Sequence, residues 1–324
     1  MDAPPKQATQ DPGASPAQGS VPLALAWNVF AALAYSAANV ALRQLAEDKS
    51  FDWALFVTAT KATGAASVAW ILIATGFARG ENLLPPRRYL PSLLLAAFCT
   101  QVVGNLVFQY TLTLGGLAIT MPLVFSAIIL SAATFGWIFL GERVTPLLVA
   151  AAATLIGAIV VLSFGADAAA RDAAGEQAPQ TLWVIVLSLV AGTGYGATGV
   201  CIRHARVGGV SAAGSLVLIS SSGLFGLGAL AVWRLGPTRI LATSPESIGW
   251  MAMASASTAA AFFSLAYAYR VLPVVRVNLI NSSQSAICAI AGVALFLEPA
   301  TSWLVTGTVL TVVGLVLVAY AKEA

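Results

Sequence analysis

The sequence predicts an all-α integral membrane protein of ten transmembrane helices, arranged as two inverted five-helix repeats. Three observations support this prediction: the scarcity of charge, the length of the apolar runs, and a similarity between the two halves of the chain. Of the 324 residues, 59% are hydrophobic and 9% are charged, and the mean hydropathy is +0.87. Soluble domains carry roughly 25% charged residues, so lipid must be the solvent for most of this protein.

The apolar runs are long enough to cross a bilayer, which takes about 20 residues of helix. A β-barrel is excluded because these runs are unbroken and rich in Ala and Leu, whereas barrel strands alternate in character over about ten residues. The ten predicted helices cover 22–45, 51–78, 89–111, 117–140, 146–164, 181–202, 211–235, 247–269, 272–296 and 302–321.

Polar stretches divide the chain into four parts. Residues 1–20, rich in Pro, Gln, Ala and Ser, predict a disordered cytoplasmic tail. The longest internal polar gap, 165–180, follows the fifth apolar run and is predicted to be a linker. The first five-helix repeat then covers 21–164, and the second covers 181–321.

The distribution of Lys and Arg predicts the orientation. With the N-terminus in the cytoplasm, ten of these residues fall on the cytoplasmic side and five on the other side. Because basic residues concentrate in cytoplasmic loops, both termini are expected there. The chain is therefore predicted to be a multi-pass protein of the plasma membrane, which in a bacterium is the inner membrane.

Charge and cysteine usage exclude other classes. The net charge is +3, and the basic residues are scattered singly among the loops, so no nucleic-acid partner is expected. Cys99, Cys201 and Cys288 lie in three different apolar runs and form neither a disulfide framework nor a CxxC pattern. Because His204 is the single histidine, a histidine-based metal site is not expected. No cofactor is predicted.

The two halves of the chain are similar to each other. A shift of 160 residues places Tyr35–Arg43 on Tyr195–Arg203, so that Tyr, Ala, Val and Arg coincide. A shift of 156 residues places Ser126, Ala133, Gly136 and Glu142 on Ser282, Ala289, Gly292 and Glu298. Chance similarity between apolar helices is the alternative. Because each half holds an odd number of helices, the halves would cross the membrane in opposite directions, as in transporters that use alternating access.

The end of the fourth helix reads Leu140-Gly141-Glu142-Arg143, and the second half has Leu297-Glu298-Pro299. Together with ten helices in two halves, this pattern resembles the drug/metabolite transporter superfamily, EamA type, over residues 22–321. The second half is less typical, because Pro299 follows its Glu and Asn278 stands where the first half has Pro122. The resemblance implies gradient-driven transport or exchange of small metabolites, often export, with a central cavity and peripheral fifth and tenth helices.

Lys61 is the leading candidate for a functional residue. It lies ten residues into the second helix, roughly 15 Å deep, where a lysine costs about 2.5–3.5 kcal/mol on insertion scales. The thirteen acidic residues fall in the tail, loops or helix ends, so no partner is expected. Lys61 would face a water-filled cavity and contact a substrate carboxylate or phosphate, or exchange a proton during transport. A neutral lysine bonded to carbonyls or to Thr58 is the alternative.

Three predicted helices carry polar side chains along one face. These are Gln101, Asn105 and Gln109 on the third helix, Asn278, Asn281, Ser285 and Cys288 on the ninth, with Gln284 close by, and Asn28, Tyr35 and Asn39 on the first. They are predicted to line a polar cavity, since the fifth and tenth helices contain no Asn or Gln. Hydrogen bonds that merely hold the helices together, worth about 0.6 kcal/mol each, are the alternative.

The remaining candidates are hydroxyl groups. Ser221, within Ser220-Ser221-Ser222, stands near the repeat position of Lys61, so the site would have a charge on one side and hydroxyls on the other. Bonding of these serines to their own helix is the alternative. Tyr35 and Tyr195 either contact substrate or pack. The predicted substrate-binding residues are Lys61, Tyr35, Asn39, Gln101, Asn105, Tyr195, Ser221, Asn281 and Gln284.

Two further features are predicted to be structural. Glu142 and Glu298 close the fourth and ninth helices and would accept hydrogen bonds from the N-terminal amides of the next helix. The glycines of the sixth helix would allow close helix contact or bending; they are Gly192, Gly194, Gly196 and Gly199.

The leading hypothesis is a secondary transporter of a small polar metabolite, such as an amino acid or organic anion. Two halves would rock around a cavity lined by helices 1, 2, 3, 6, 7, 8 and 9, and the absence of a nucleotide-binding motif disfavours ATP drive. Its partners would be the metabolite and the lipid bilayer, with a homodimer left open. Three alternatives remain: a cationic drug exporter of the same superfamily, an intramembrane enzyme and a purely structural membrane protein. The first lacks a membrane carboxylate and the second a catalytic constellation.

Overall fold

A computed structural model describes residues 20–47, 50–171, 178–296 and 302–320. Within these ranges the regular elements are helices, and no strand is present. Of the predicted tail, residues 1–19 lie outside the described part of the chain, as does Glu298.

The helices follow one another with short connections. In chain order they are α1 (Val21–Gln44), α2 (Phe51–Ala78), α3 (Leu90–Phe98), α4 (Val107–Leu140), α5 (Pro146–Arg171), α6 (Ala178–Val207), α7 (Ala212–Ser221), α8 (Gly228–Leu241), α9 (Pro245–Val271), α10 (Val274–Asn281), α11 (Gln284–Phe296) and α12 (Ser302–Tyr320). A first π segment, Cys99–Leu106, joins α3 to α4, and a second π segment, Ser222–Leu227, joins α7 to α8.

Seven stretches of the described residues are long and apolar enough to cross a membrane. They are Val21–Gln44, Phe51–Ala78, Arg87–Leu114, Leu123–Leu140, Leu182–Val207, Ala212–Leu241 and Pro245–Val271. Shorter apolar helices cover Pro146–Val161 and Val305–Val318. Large apolar side chains point outward, and Trp137, Phe139 and Trp233 are 65%, 70% and 77% exposed. This architecture fits an all-α integral membrane protein.

Serine residues define where four helices begin. The side chains of Ser20, Ser50, Ser211 and Ser244 each accept a hydrogen bond from the backbone N–H three residues further on. Such N-caps satisfy amides that have no partner within the helix. Gly141 ends α4 with a φ of 66°, a left-handed conformation that favours glycine.

The chain reverses direction within α4, although its backbone stays helical from Val107 to Leu140. The Cys99 carbonyl lies beside Gly194, and the Ser131 hydroxyl lies beside Gly196. Cys99 and Ser131 are 32 residues apart in the sequence, which would be about 48 Å along a straight helix. The reversal falls between Gly104, which lies beside Tyr195, and Val124, whose carbonyl lies beside Gly192. The connection predicted between 111 and 117 is therefore part of a helix and not a loop.

Two other boundaries differ from the sequence prediction. Of the predicted linker 165–180, α5 includes residues up to Arg171 and α6 begins at Ala178, so both ends of the linker are helical. The predicted ninth helix is interrupted at Ser282 and Ser283. At this interruption the backbone makes i→i−3 hydrogen bonds, from Ser283 N to Ile280 O and from Ser285 N to Ser282 O.

Helices of the first predicted half pack against helices of the second. α1 packs on α9, α4 on α6, and α2 on α7, while α5 packs on α12. Close approach of α4 and α6 depends on glycine: a Cβ on Gly192 would meet the Val124 carbonyl, and a Cβ on Gly196 would meet Ser131. Since α6 remains one helix through these residues, the glycines serve close contact and not bending.

Candidate functional site

A cavity lies at the centre of the helix bundle. Its volume is about 100 Å³, and a buried water needs roughly 10–15 Å³ of such space, so it can hold a small solute. The described residues that line it come from α1, α2, the first π segment, α4, α6, α9, α10 and α11. Among them none is acidic, and none comes from α5 or α12.

Lys61 contributes a positive charge to this cavity. Its ammonium group donates a hydrogen bond to Asn105 Oδ1 at 2.9 Å, and the Tyr195 hydroxyl donates to the same oxygen at 2.8 Å. Lys61 is only 7% exposed. Its partner is therefore a neutral amide, and a buried cation with a neutral partner favours binding of an anion.

The first π segment fixes the position of Asn105. Its side-chain NH₂ donates to Gln101 Oε1 at 3.0 Å, and Gln101 donates in turn to the Ile219 carbonyl at 2.9 Å. A second contact holds this segment against α6, since the hydroxyls of Thr100 and Thr198 are 2.9 Å apart. π-Helical insertions in α-helices are frequent at functional sites.

A chain of amides forms a second polar region of the wall. Asn39 donates to Gln284 at 3.1 Å, Gln284 donates to Asn281 at 3.1 Å, and Asn281 donates to Asn28 at 2.7 Å. These bonds join α1 to both sides of the interruption between α10 and α11. These amide groups therefore form hydrogen bonds mainly with one another. This agrees with the alternative that they hold the helices together.

Tyr35 and Tyr195, which the sequence prediction places at equivalent positions of the two halves, both line the cavity. The ring of Tyr35 meets Phe262 edge-on at 6.0 Å between centroids, and the ring of Tyr195 meets Phe108 at 6.3 Å. Each tyrosine therefore combines a packing contact with a position on the cavity wall.

The structure brings seven of the nine predicted residues to one cavity. These are Lys61, Tyr35, Asn39, Asn105, Tyr195, Asn281 and Gln284. Gln101 lies behind Asn105 and positions it. The placement of Ser221 at the cavity was wrong: its hydroxyl accepts a hydrogen bond from the Trp70 indole at 2.9 Å, on an exposed part of the molecule.

The seventh predicted helix, 211–235, was expected to line the cavity, and this prediction was also wrong. Among the described residues, α7, the second π segment and α8 contribute nothing to the cavity wall. Ser222 bonds back to the carbonyl of Ile219 at 2.8 Å, as serines in apolar helices often do.

Sequence reasoning missed one wall of the cavity. Met121, Val124, Phe125 and Ile128 of α4 line it, and they recur at helical spacing on one face. Such a stripe is indistinguishable from a packing face when only the sequence is known. A usable signal existed on α6, where Thr198 lies three residues after Tyr195 and lines the cavity with it.

An ion pair lies next to one end of the cavity. Glu142 accepts hydrogen bonds from Arg203 and, at 2.9 Å, from the backbone N–H of Val274. Arg203 also donates to the Tyr269 carbonyl at 2.9 Å, and Tyr269 lines the cavity. Glu142 does accept from a helix N-terminal amide, as predicted, but that helix is α10 and not the next helix, α5, whose first residue is Pro146.

The fold and the cavity together define a class: an all-α membrane protein whose central cavity is lined, among the described residues, by one basic side chain, Lys61. No model of a known protein family and no curated protein sequence matches the chain. A solved structure described as "Crystal structure of protein" superposes on 93% of this chain and 97% of its own, with a TM-score of 0.71 and 19% identity. That similarity shows a shared fold. Within the described residues, no cluster of three or more His, Cys, Asp or Glu could hold a metal ion.

Proposed function

We propose that the protein is a secondary transporter of the drug/metabolite transporter superfamily, EamA type. It carries a small polar metabolite, anionic or zwitterionic, such as an amino acid or organic anion, by alternating access. One observation carries the proposal: the Lys61 ammonium lines a central cavity and its hydrogen-bond partner is the neutral Asn105 amide. A substrate anion supplies the negative charge that this site lacks.

We further propose ten membrane crossings in two inverted repeats. The seven long apolar stretches are completed by α5, α12 and the interrupted pair α10–α11. Helix directions support the inversion, beginning with α1. Asn28 bonds to the Val277 carbonyl and Asn39 bonds to Gln284, so α1 runs parallel to α10 and α11.

The repeat equivalent of α1 is α6, and it runs the other way. Gly199 lies beside Asn278, while Arg203, further along α6, shares Glu142 with Val274, which is earlier on α10. α6 is therefore antiparallel to α10 and hence to α1. Opposite directions of equivalent helices support a pseudo-twofold axis in the membrane plane, the arrangement that alternating access uses.

The location follows from the same proposal. The chain lies in the plasma membrane, the inner membrane of a bacterium, with both termini in the cytoplasm. The ion pair of Glu142 and Arg203 is then at the cytoplasmic end of the cavity.

The proposal is tested by flux in proteoliposomes. Purified protein is reconstituted, and efflux of radiolabelled organic anions, amino acids and organic cations is compared between wild type and Lys61→Met. We expect an anion or zwitterion to move, and the rate to fall by more than about tenfold in the variant, because a buried charged contact is lost. Ser221→Ala is the matched control and keeps wild-type flux, since Ser221 faces Trp70.

Three results would contradict the proposal, each favouring a different alternative. One is flux that is unchanged in a well-folded Lys61→Met protein, which would favour a structural role for the lysine. Another is transport of cations alone, which would favour the cationic drug exporter. The third is chemical conversion of a solute during incubation, which would indicate an intramembrane enzyme.

A further inference from the structure

The amide groups of the cavity are largely engaged with one another, and the Thr258 hydroxyl is the buried side-chain group of the described lining that has no partner. The side-chain oxygens of Asn28, Asn281 and Gln284 each accept a hydrogen bond from a neighbouring amide. Asn105 is engaged in the same way, accepting from Lys61 and Tyr195 while donating to Gln101. A polyhydroxylated or multiply charged solute would compete with these bonds for the remaining lone pairs and amide hydrogens, and a buried polar group left without a partner costs about 1–3 kcal/mol.

One charged donor remains open to a ligand. An ammonium group has three hydrogens to donate, and Asn105 occupies one of those of Lys61. None of the described residues lining the cavity is acidic, so nothing in the described wall would bind a second, cationic group by ion pairing. The wall therefore matches a ligand with a single anionic group.

Apolar side chains lie next to the Lys61 ammonium group and its partners. Phe108 contacts Tyr195 ring to ring, and Tyr195 shares the Asn105 oxygen with Lys61. From Phe108 the wall continues along the face of α4 that carries Met121, Val124, Phe125 and Ile128. Burying apolar carbon here is favourable by roughly 25 cal/mol per Å².

We propose that the substrate is a monoanion with an apolar carbon body, bound with its anionic group at Lys61 and its body along the α4 face. This inference rests on the proposed transport function and narrows its substrate class. The charge is recognised by one ammonium group, and the body is recognised by contact with α4.

The test uses three six-carbon probes that differ only at their ends: hexanoate, hexanamide and adipate. Thermal unfolding of the detergent-purified protein gives the concentration of each probe that produces half-maximal stabilisation. We expect hexanoate to act at a concentration at least about tenfold lower than hexanamide or adipate, because the amide lacks the charge and adipate places a second charge on the apolar wall.

Two variants locate the two parts of the site. Lys61→Met removes the preference for hexanoate over hexanamide. Ile128→Ala raises the half-maximal concentration of hexanoate by about tenfold, while Leu130→Ala, on the same helix but 59% exposed, leaves it unchanged.

The outcomes separate this inference from the transport proposal. If adipate or hexanamide stabilises as well as hexanoate while Lys61-dependent flux persists, the substrate class is wrong and the transporter stands. If hexanoate binds through Lys61 and Ile128 but no solute is moved in proteoliposomes, the site is right and the transport function is wrong. If Leu130→Ala weakens hexanoate as much as Ile128→Ala, the α4 face is not the body site.

Discussion

At the scale of single residues, Asn105 organises the charged part of the cavity. Its one amide oxygen holds both the Lys61 ammonium and the Tyr195 hydroxyl, and Gln101 fixes its orientation from behind. Because an amide carries no net charge, it positions the ammonium group without neutralising it. A carboxylate at the same position would hold Lys61 equally well and would abolish its attraction for an anion.

Asn105→Asp tests this role with an almost isosteric change. We expect the new carboxylate to pair with Lys61, so that anion flux in proteoliposomes falls by more than about tenfold. The thermal midpoint should change little, because the counter-ion that the buried lysine gains offsets the hydrogen bond to Gln101 that the new side chain can no longer donate. Wild-type flux in this variant would show that the ammonium does not contact the substrate.

A second prediction concerns the space beside Tyr195. A Cβ on Gly104 would lie 2.7 Å from the Tyr195 ring, so Gly104→Ala must displace that ring. Overpacking of this kind costs about 1–3 kcal/mol, and we expect a lower thermal midpoint in detergent. The control is Gly157→Ala on α5, where no atom beyond the local backbone of the same helix lies within 4 Å of the added Cβ. This control should be neutral or slightly stabilising, and equal losses in both variants would contradict the packing argument.

At the scale of helices, the Glu142 carboxylate joins three elements. It lies just beyond the end of α4 and binds Arg203 of α6 and the first backbone amide of α10. The N-terminus of a helix carries a partial positive charge, which stabilises a carboxylate placed there. The two side chains are 11% and 15% exposed, so water replaces these contacts only in part when one is removed.

Glu142→Gln should therefore destabilise the protein by about 1–3 kcal/mol, since a mostly buried guanidinium loses its counter-ion. Thermal unfolding in detergent measures the effect. The exposed ion pair of Asp52 and Arg234, with side chains 28% and 49% exposed, provides the comparison. Asp52→Asn should cost under about 1 kcal/mol, and a larger loss there than in Glu142→Gln would contradict the structural role assigned to Glu142.

At the scale of the whole molecule, contacts between connections define two ends of the bundle. Ser211, after α6, donates to the Leu83 carbonyl before α3 at 3.0 Å, which places these two connections at one end. Asp52, at the start of α2, binds Arg234 near the end of α8 at 2.9 Å. These residues lie at the opposite ends of α2 and of the α7–α8 stretch, and hence at the opposite end of the bundle.

The proposed orientation assigns these ends to opposite sides of the membrane. In a background without Cys99, Cys201 and Cys288, we expect Glu81→Cys to react with a membrane-impermeant thiol reagent from the cytoplasmic side. Ala242→Cys should react from the other side; both positions are exposed. Labelling of intact cells and of inverted vesicles distinguishes the sides. Reaction of both positions from one side would contradict the assignment of the bundle ends.

Several parts of the site could be predicted from the sequence, because polar side chains within membrane-spanning helices are energetically costly and therefore mark cavities or interhelical contacts. Lys61, Asn105 and Gln284 stood out in apolar runs, and the structure places them on the cavity wall. Ser221 could not be placed, because helical spacing shows which residues share a face but not which neighbour that face meets. The apolar face of α4 was missed because an apolar lining and an apolar packing face have the same composition.

The sequence by itself determined the class of the protein, because too few charges and too many long apolar runs leave lipid as the only suitable solvent. It also determined most helix ends, through residues such as Ser50 and Gly141 whose local bonding needs no distant partner. Only the tertiary structure decided that α4 bends back, that Glu142 serves α10, and that the amides of α1 and α11 bind one another. These depend on contacts between residues far apart in the chain, and the sequence periodicity of a single helix contains no information about its neighbours.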